Sequence, residues 1–285
     1  MSQLIYDVGF HRGEDTQLYL SLGHRVVAVD ADPRNIEWAR GEFPQAVVSG
    51  QLTLVHAAAS ETDGMTEFYL SKSTVWSSLK SGIAGRLGRL DHSIQVPTRR
   101  LDGLFREYGT PVYCKIDVEG YDAVCLQTLV GMSDLPKYIS VETECLSDGE
   151  KVEASIYLQT LKGLQALGYD RFKLVDQASL RVLDDEMIYD DRPLGWVATV
   201  RQCLGRGYDN RFSRIKRESH QRLKERLGRV YPFGATGPFA EELDGEWCDG
   251  PTVQRRLEQH RQAFFQMASA RSFGFWCDLH ATRGG

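Results

Sequence analysis

The chain predicts an α/β fold, a mainly parallel sheet with helices on both faces. Two observations carry that reading. Over residues 1–175, short strand-like apolar runs alternate with helix-like stretches. The runs are bounded by glycine or end in an acid, as Arg25–Val29 does between Gly23 and Asp30. Strands that alternate with helices imply parallel pairing and helices covering both sheet faces.

The elements follow in order. Leu4–Val8 is a short apolar strand, and Glu14–Leu22 a helix ending at Gly23. Arg25–Val29 is a β-branched strand. Pro33 suits the first turn of a helix that runs through Ala39. Gln51–His56 reads as a strand, with Thr66–Leu70 a short additional one. Val112–Ile116 leads into Asp117, and Asp122–Leu129 is helix-like. Tyr138–Val141 is a strand, Ile156–Leu167 a helix ended by Gly168, and Phe172–Val175 a further strand. Beyond residue 180 the alternation fades. Arg201–Arg229 holds ten Lys or Arg against three Asp or Glu and looks largely like an amphipathic helix. A glycine- and carboxylate-rich span, Pro232–Pro251, precedes the helix-like Val253–Ala270 and a strand-like tail, Ser272–His280.

Composition sets outer bounds. With 285 residues, 42% hydrophobic and 26% charged, the chain is an ordinary globular protein. A net charge of −5 gives no reason to expect a nucleic-acid or membrane partner. The N-terminus runs directly into a strand-like segment, so no signal peptide is expected, and no window has the length of a membrane helix. The six cysteines (Cys114, Cys125, Cys145, Cys203, Cys248, Cys277) are scattered, which fits free thiols in a reducing cytoplasm. No metal motif of the HExxH or Cys/His type occurs.

In open parallel sheets, ligands bind beyond the carboxyl ends of the strands. The first such loop reads Asp7-Val8-Gly9-Phe10-His11-Arg12-Gly13. It lacks the Lys-Ser/Thr of a P-loop and the middle glycine of a dinucleotide fingerprint. A GxxxG turn behind a strand-end acid fits S-adenosyl-L-methionine (SAM), which has no phosphate. Asp7 can meet the methionine amine, and N–H groups at the next helix can receive its carboxylate. Asp30, ending the second strand, can accept hydrogen bonds from ribose hydroxyls. Further along, Lys115-Ile116-Asp117-Val118-Glu119-Gly120 leaves the fourth strand where donor and acceptor should meet. A carboxylate there can take the proton of an attacking hydroxyl. Asp117 is the first choice, Glu119 the second, and Glu142 a third from the next strand. The alternative is that these acids cap a helix or pair with Lys115 or Arg99. A divalent cation on Asp117, Glu119 and Glu142 is chemically conceivable, but no metal is assigned.

Taken together, DVGFHRGEDT (Asp7–Thr16), VDADP (Val29–Pro33), HAAAS (His56–Ser60), WSSL (Trp76–Leu79), KIDVEG (Lys115–Gly120) and SVE (Ser140–Glu142) resemble the FkbM family of SAM-dependent methyltransferases. The resemblance spans roughly residues 4–176, and His11 stands where relatives usually have Asn. It implies a class I methyltransferase, Rossmann-like three-layer sandwich with a seven-stranded, mainly parallel sheet. It also implies a donor site of Asp7, Gly9, His11, Gly13, Thr16, Asp30, Ala57, Ala58, Ser78 and Asp117. Three segments are expected: a SAM-binding core over 1–180, a helical elaboration over 181–271 acting as an acceptor-side lid, and a final strand within 272–285. His280, in that strand, is a candidate pocket residue whose alternative is a packed or exposed histidine. The implied reaction is O-methylation of a sugar or secondary-metabolite hydroxyl. The acceptor is then a small molecule or a peptide, and the basic helix suits an anionic one. N-methylation of a peptide side chain, a NAD-dependent oxidoreductase and a non-catalytic binding protein remain as alternatives.

Overall fold

The strands nearest the candidate site are mostly apolar and almost wholly buried, because both of their faces are covered. The computed structural model describes residues 2–72, 77–85, 88, 90–145, 154–204, 209–267 and 274–284. In chain order the elements are β1 (Leu4–Val8), α1 (Glu14–Ser21), β2 (Arg25–Asp30), α2 (Pro33–Glu42), α3 (Pro44–Val48), β3 (Leu52–His56), β4 (Ala58–Ala59) and β5 (Gly64–Ser71). There follow α4 (Ser81–Ala84), β6 (Leu90–Arg99), α5 (Leu101–Tyr108), β7 (Tyr113–Ile116), α6 (Asp122–Gln127), β8 (Tyr138–Cys145), α7 (Ala154–Ala166), β9 (Arg171–Asp176) and β10 (Arg181–Val182). The last are α8 (Gly195–Cys203), α9 (Arg211–Leu227), α10 (Gly250–Gln266) and β11 (Phe275–Thr282).

The main sheet has the order β10-β9-β11-β8-β7-β1-β2-β3, and β4-β6-β5 form a second sheet. The main sheet thus has eight strands where seven are expected. Two-residue β10, antiparallel to β9 through Arg181↔Asp176 and Val182↔Val175, is too short to leave a sequence signal. Strand β1 runs parallel to β2 and β7, pairing Asp7 with Ala28 on one side and Lys115 on the other. The carboxyl ends of β1, β2, β7 and β8 therefore lie at one edge of the sheet, since β7 and β8 are parallel too. The motif acids lie toward that edge: Asp7 and Asp30 within the last two residues of β1 and β2, Asp117 just past β7, and Glu142 within β8.

Spatial proximity divides the chain into two compact units. The first comprises Met1–Glu142, Lys162–Tyr169 and Ala281–Gly285. Its interior holds Ile5, Tyr6, Val8, Tyr113 and Ile116, none measurably exposed. Tyr6 donates its hydroxyl to Leu104 O at 2.9 Å and meets Phe105 edge-on, with ring centroids 4.9 Å apart. Burying a side chain such as Leu104 or Phe105 stabilises the fold by about 1.5–3 kcal/mol. The second unit, Thr143–Leu161 with Asp170–His280, centres on Tyr189. Its ring contacts Phe212, His260, Phe264 and Phe275, and its hydroxyl donates to Asp176 Oδ1 at 2.8 Å.

The strands and helices anticipated through residue 175 are present with shifted ends. The basic stretch Arg201–Arg229 is not one helix. Its first residues end α8, and α9 begins anew after Asn210, whose side chain accepts from Ser213 N at 2.7 Å. Strand β6 and helix α5 were not anticipated. The first half of β6 is polar and exposed, and Pro97 interrupts its pattern. Its inward residue Val96 instead packs with Ala31, Ala58, Phe68 and Leu70, a cluster of distant segments.

Candidate active site

The loop after β1 is shaped by positive φ angles. Gly9 has φ +83°, His11 +49° and Gly13 +69°. At Gly9 a Cβ atom would stand 1.7 Å from the backbone oxygen of Asp117, so only glycine fits where the exits of β1 and β7 meet. Gly13 precedes α1 in left-handed geometry, with Phe43 packed over it. His11 shares the left-handed region, which Asn and His tolerate better than most side chains. That accounts for histidine standing at an asparagine position. Its Nδ1 lies 3.2 Å from Glu14 Oε1, so the ring is turned toward the start of α1. Burial alone would raise the Glu14 carboxyl, but hydrogen bonds from the His11 ring and the backbone hold it below its usual value.

Asp30 joins this loop to the end of β2. Its Oδ2 accepts from His11 N at 2.9 Å and Asn35 Nδ2 at 3.1 Å, and its Oδ1 from Asp32 N at 2.8 Å. Desolvation pushes the carboxyl up to about 6, and these three donors only partly offset it. Two carboxylate oxygens offer about four acceptor positions, so Oδ1 retains one. Asp32, the next acid, caps α2 through Arg34 N at 2.9 Å and pairs with the Arg34 guanidinium at 2.6 Å.

Beneath these loops lies a buried lysine. Lys115 Nζ stands 3.1 Å from Asp15, 3.4 Å from Asp7 and 3.6 Å from Asp117. Burial disfavours the ammonium, but the three carboxylates outweigh it and hold the amine well above its usual range. Asp7 is wholly buried and also accepts from Thr16 Oγ1 at 2.6 Å. Sequence reasoning named Asp7, Thr16 and Asp117 but missed Asp15 and treated Lys115 only as an alternative partner. In the sequence, Asp15 looks like any acid in a first helical turn.

The KIDVEG turn is fastened from both sides. Asp122 accepts from Val118 N at 3.0 Å and Gly120 N at 3.1 Å, and desolvation pushes its carboxyl up to about 6. Ser78 Oγ donates to Glu119 O at 2.8 Å, and Lys80 Nζ to Gly120 O at 2.6 Å. Asp122, another residue the sequence reading missed, thus braces the turn from the first position of α6, whose N-cap Tyr121 makes no side-chain capping bond. Arg99 pairs with Glu107 at 2.6 Å, not with the motif acids. Glu119 has φ +50°, a costly conformation for a non-glycine residue.

Among the described residues, Asp117, Glu119 and Glu142 each bring a carboxylate oxygen within 4.8 Å of the others. All three are partly exposed. The register explains the cluster: Ile116 pairs with Val141, so Asp117, just past the end of β7, comes beside Glu142 in β8. Oxygen donors of this kind can receive protons or hold a hard divalent cation. Ala57 and Ala58 are buried beyond β3, where Ala57 N donates to Asp30 O at 3.0 Å. Ser78 is buried at the KIDVEG turn, whereas Trp76 lies outside the described residues. His280 is buried in β11 of the second unit, where burial and then the nearby Lys173 lower its ring to about 3.

The chain is similar to the crystal structure of methyltransferase FkbM from Methylobacillus flagellatus, with 14% identity and a TM-score of 0.38, over 59% of this chain and 38% of that one. It is similar to a SAM-dependent methyltransferase from Geobacter sulfurreducens in complex with S-adenosyl-L-homocysteine, with 12% identity and a TM-score of 0.40, over 99% and 85%. A corresponding complex from Thiobacillus denitrificans matches at 12% identity and a TM-score of 0.39, over 99% and 86%. No curated protein matches significantly. Residues 7–170, more than half of the chain, match the methyltransferase FkbM domain and contain every motif residue described above. The chain belongs to the FkbM methyltransferase family and is a SAM-dependent methyltransferase.

Proposed function

We propose that the protein methylates a hydroxyl oxygen of a sugar or secondary metabolite, with Asp117 receiving the proton. The observation that carries this reading is the convergence of Asp117 and Glu119, just past β7, with Glu142 of the adjacent parallel strand β8. SAM supplies a methyl group on a sulfonium, an electrophile that is already activated.

The residues present fit that cofactor. Asp30 keeps one acceptor position for a ribose hydroxyl, and its three fixed donors hold the carboxylate still. One ammonium stands against three carboxyl groups around Lys115, a formal excess of negative charge that suits a cationic donor. Asp7 and Thr16 are buried beneath the first loop, where Thr16 Oγ1 donates to Asp7 Oδ2 at 2.6 Å, and together they support the methionine end of the donor site. Gly9 and Gly13 give that loop its turns, and His11 contributes its backbone through Asp30. Ala57 and Ala58 bound the donor site beyond β3, and Ser78 holds the KIDVEG turn.

Asp117 Oδ2 faces Lys115, leaving Oδ1 for the acceptor. As the hydroxyl oxygen attacks, its proton passes to Asp117. Glu119 and Glu142 orient the acceptor through hydrogen bonds. Positioning of this kind supplies much of the acceleration when the electrophile is already activated.

The test is a panel of hydroxylated acceptors with isotopically labelled SAM, followed by mapping of the methylated atom. Asp117→Asn is expected to lower turnover by roughly 10²–10⁴-fold while SAM affinity is retained. Methyl label on nitrogen, or full turnover in Asp117→Asn, would overturn the reading. Loss of activity on chelation would assign the cluster to a cation and not to proton transfer.

A further inference from the structure

Helix α8 turns its apolar side chains toward solvent. Trp196 is 78% exposed, Val197 and Val200 47% each, and Leu204, just past the helix end, 62%. At 3.6 residues per turn these four positions fall within an arc of about 100°. Ala198, on the other side, is buried. Single exposed apolar residues are commonplace, but a stripe of four along one helix face is not.

The helix is held at its base by a short neck. Pro193 and Asn210 form an antiparallel bridge. Leu194 N donates to Asp209 O at 3.0 Å, and Arg211 N to Arg192 O at 3.2 Å. Arginines surround this neck: Arg192 and Arg211 share Asp190, and Arg217 pairs with Asp209. Arg201 sits on α8 beside the apolar stripe and has no ion pair among the described residues. From Asp190 to Arg229 the sequence has eleven Lys or Arg against five Asp or Glu, a local +6 in a chain whose net charge is −5.

We propose that α8 and its neck form a docking surface for an anionic phospholipid bilayer. Trp196, Val197, Val200 and Leu204 enter the boundary between headgroups and acyl chains, and the flanking arginines meet lipid phosphates. The two features together select this occupant. A nucleic acid would use the charge and leave the stripe exposed. A second copy would cover the stripe but bring two basic surfaces face to face. Among the described residues no helix is long and apolar enough to cross a membrane, so docking is peripheral.

The full chain is tested by co-sedimentation with vesicles of phosphatidylcholine alone and with about a third phosphatidylserine, a fraction that gives an anionic surface. Binding is expected to the mixed vesicles only, and to weaken on the order of tenfold in high salt. Trp196→Asp with Val200→Asp should abolish it, while Trp196→Leu retains most of it. SAM binding and circular dichroism establish that each variant is folded. Absent binding, equal binding to both vesicles, or binding that survives the double substitution overturns the proposal. So does self-association that the double substitution removes in a chain that ignores vesicles.

Discussion

The backbone N–H of His11 donates to Asp30 Oδ2 at 2.9 Å, tying the first loop to the end of the second strand. This bond depends on the left-handed backbone at His11, which turns the amide toward β2. The residue that departs from the family pattern therefore keeps a role by backbone conformation. The imidazole is engaged with Glu14.

Asp30 should make stability depend on pH. Its folded value is about 6 against an ordinary 3.8, because desolvation outweighs its hydrogen bonds. The fold therefore holds this proton more tightly than the unfolded chain does. The stabilising contribution is complete below about 4 and is lost as pH rises through about 6. Asp30→Asn should be less stable overall, because it loses one acceptor for Asp32 N or His11 N. Its stability should nonetheless fall less steeply across that window. Denaturant melts of both proteins, compared at each pH, separate Asp30 from Asp122, whose carboxyl also rises to about 6.

Gly9→Ala is expected to disrupt the site and the fold together. The added methyl meets the Asp117 backbone oxygen at 1.7 Å, and neither strand end can yield cheaply. A cost above about 2 kcal/mol is expected from this clash and the positive φ. Thermal melting checks it, with calorimetric SAM titration on any folded fraction. A variant as stable as the parent would refute the close approach.

Removing the ammonium from Lys115 should be equally costly. In Lys115→Met the carboxyl groups of Asp7, Asp15 and Asp117 face one another without a counter-charge. Breaking a buried pair in this way costs about 3–5 kcal/mol. Denaturant melts of parent and variant check it, and a variant as stable as the parent would refute the charge pairing.

Glu119→Gly should separate stability from activity. Glycine accepts φ +50° without penalty, so stability is expected to rise by up to about 1 kcal/mol. Methyl transfer should fall, because the variant has lost one of the three clustered carboxylates. A loss of stability would mean that the Glu119 side chain contributes more to the turn than its backbone strain costs.

Much of this was legible in one dimension. The apolar runs at β1, β2, β7 and β8 mark central strands because both faces are covered, so alternation is suppressed. Glycines and acids directly after those runs mark the ligand edge. Strand β6 was not legible because its polar half faces solvent, while Val96 packs against segments distant in sequence. The division of labour among the acids was hidden for the same kind of reason. Asp7 and Asp117 each follow or end an apolar run, yet Asp7 is wholly buried and Asp117 is partly exposed. Asp15 and Lys115 meet only because β1, α1 and β7 converge.

The amino-acid sequence by itself determined the fold class, the family and the edge of the sheet where chemistry occurs. Those properties rest on local patterns of apolar runs, turns and motif spacing. Tertiary structure decided which carboxylates cluster, which pair with Lys115, and why histidine is accepted at position 11. It also set the apolar side chains of α8 toward solvent, beside the paired arginines of the neck. Burial, charge pairing and close approach depend on distances between residues far apart along the chain, which one-dimensional spacing does not encode.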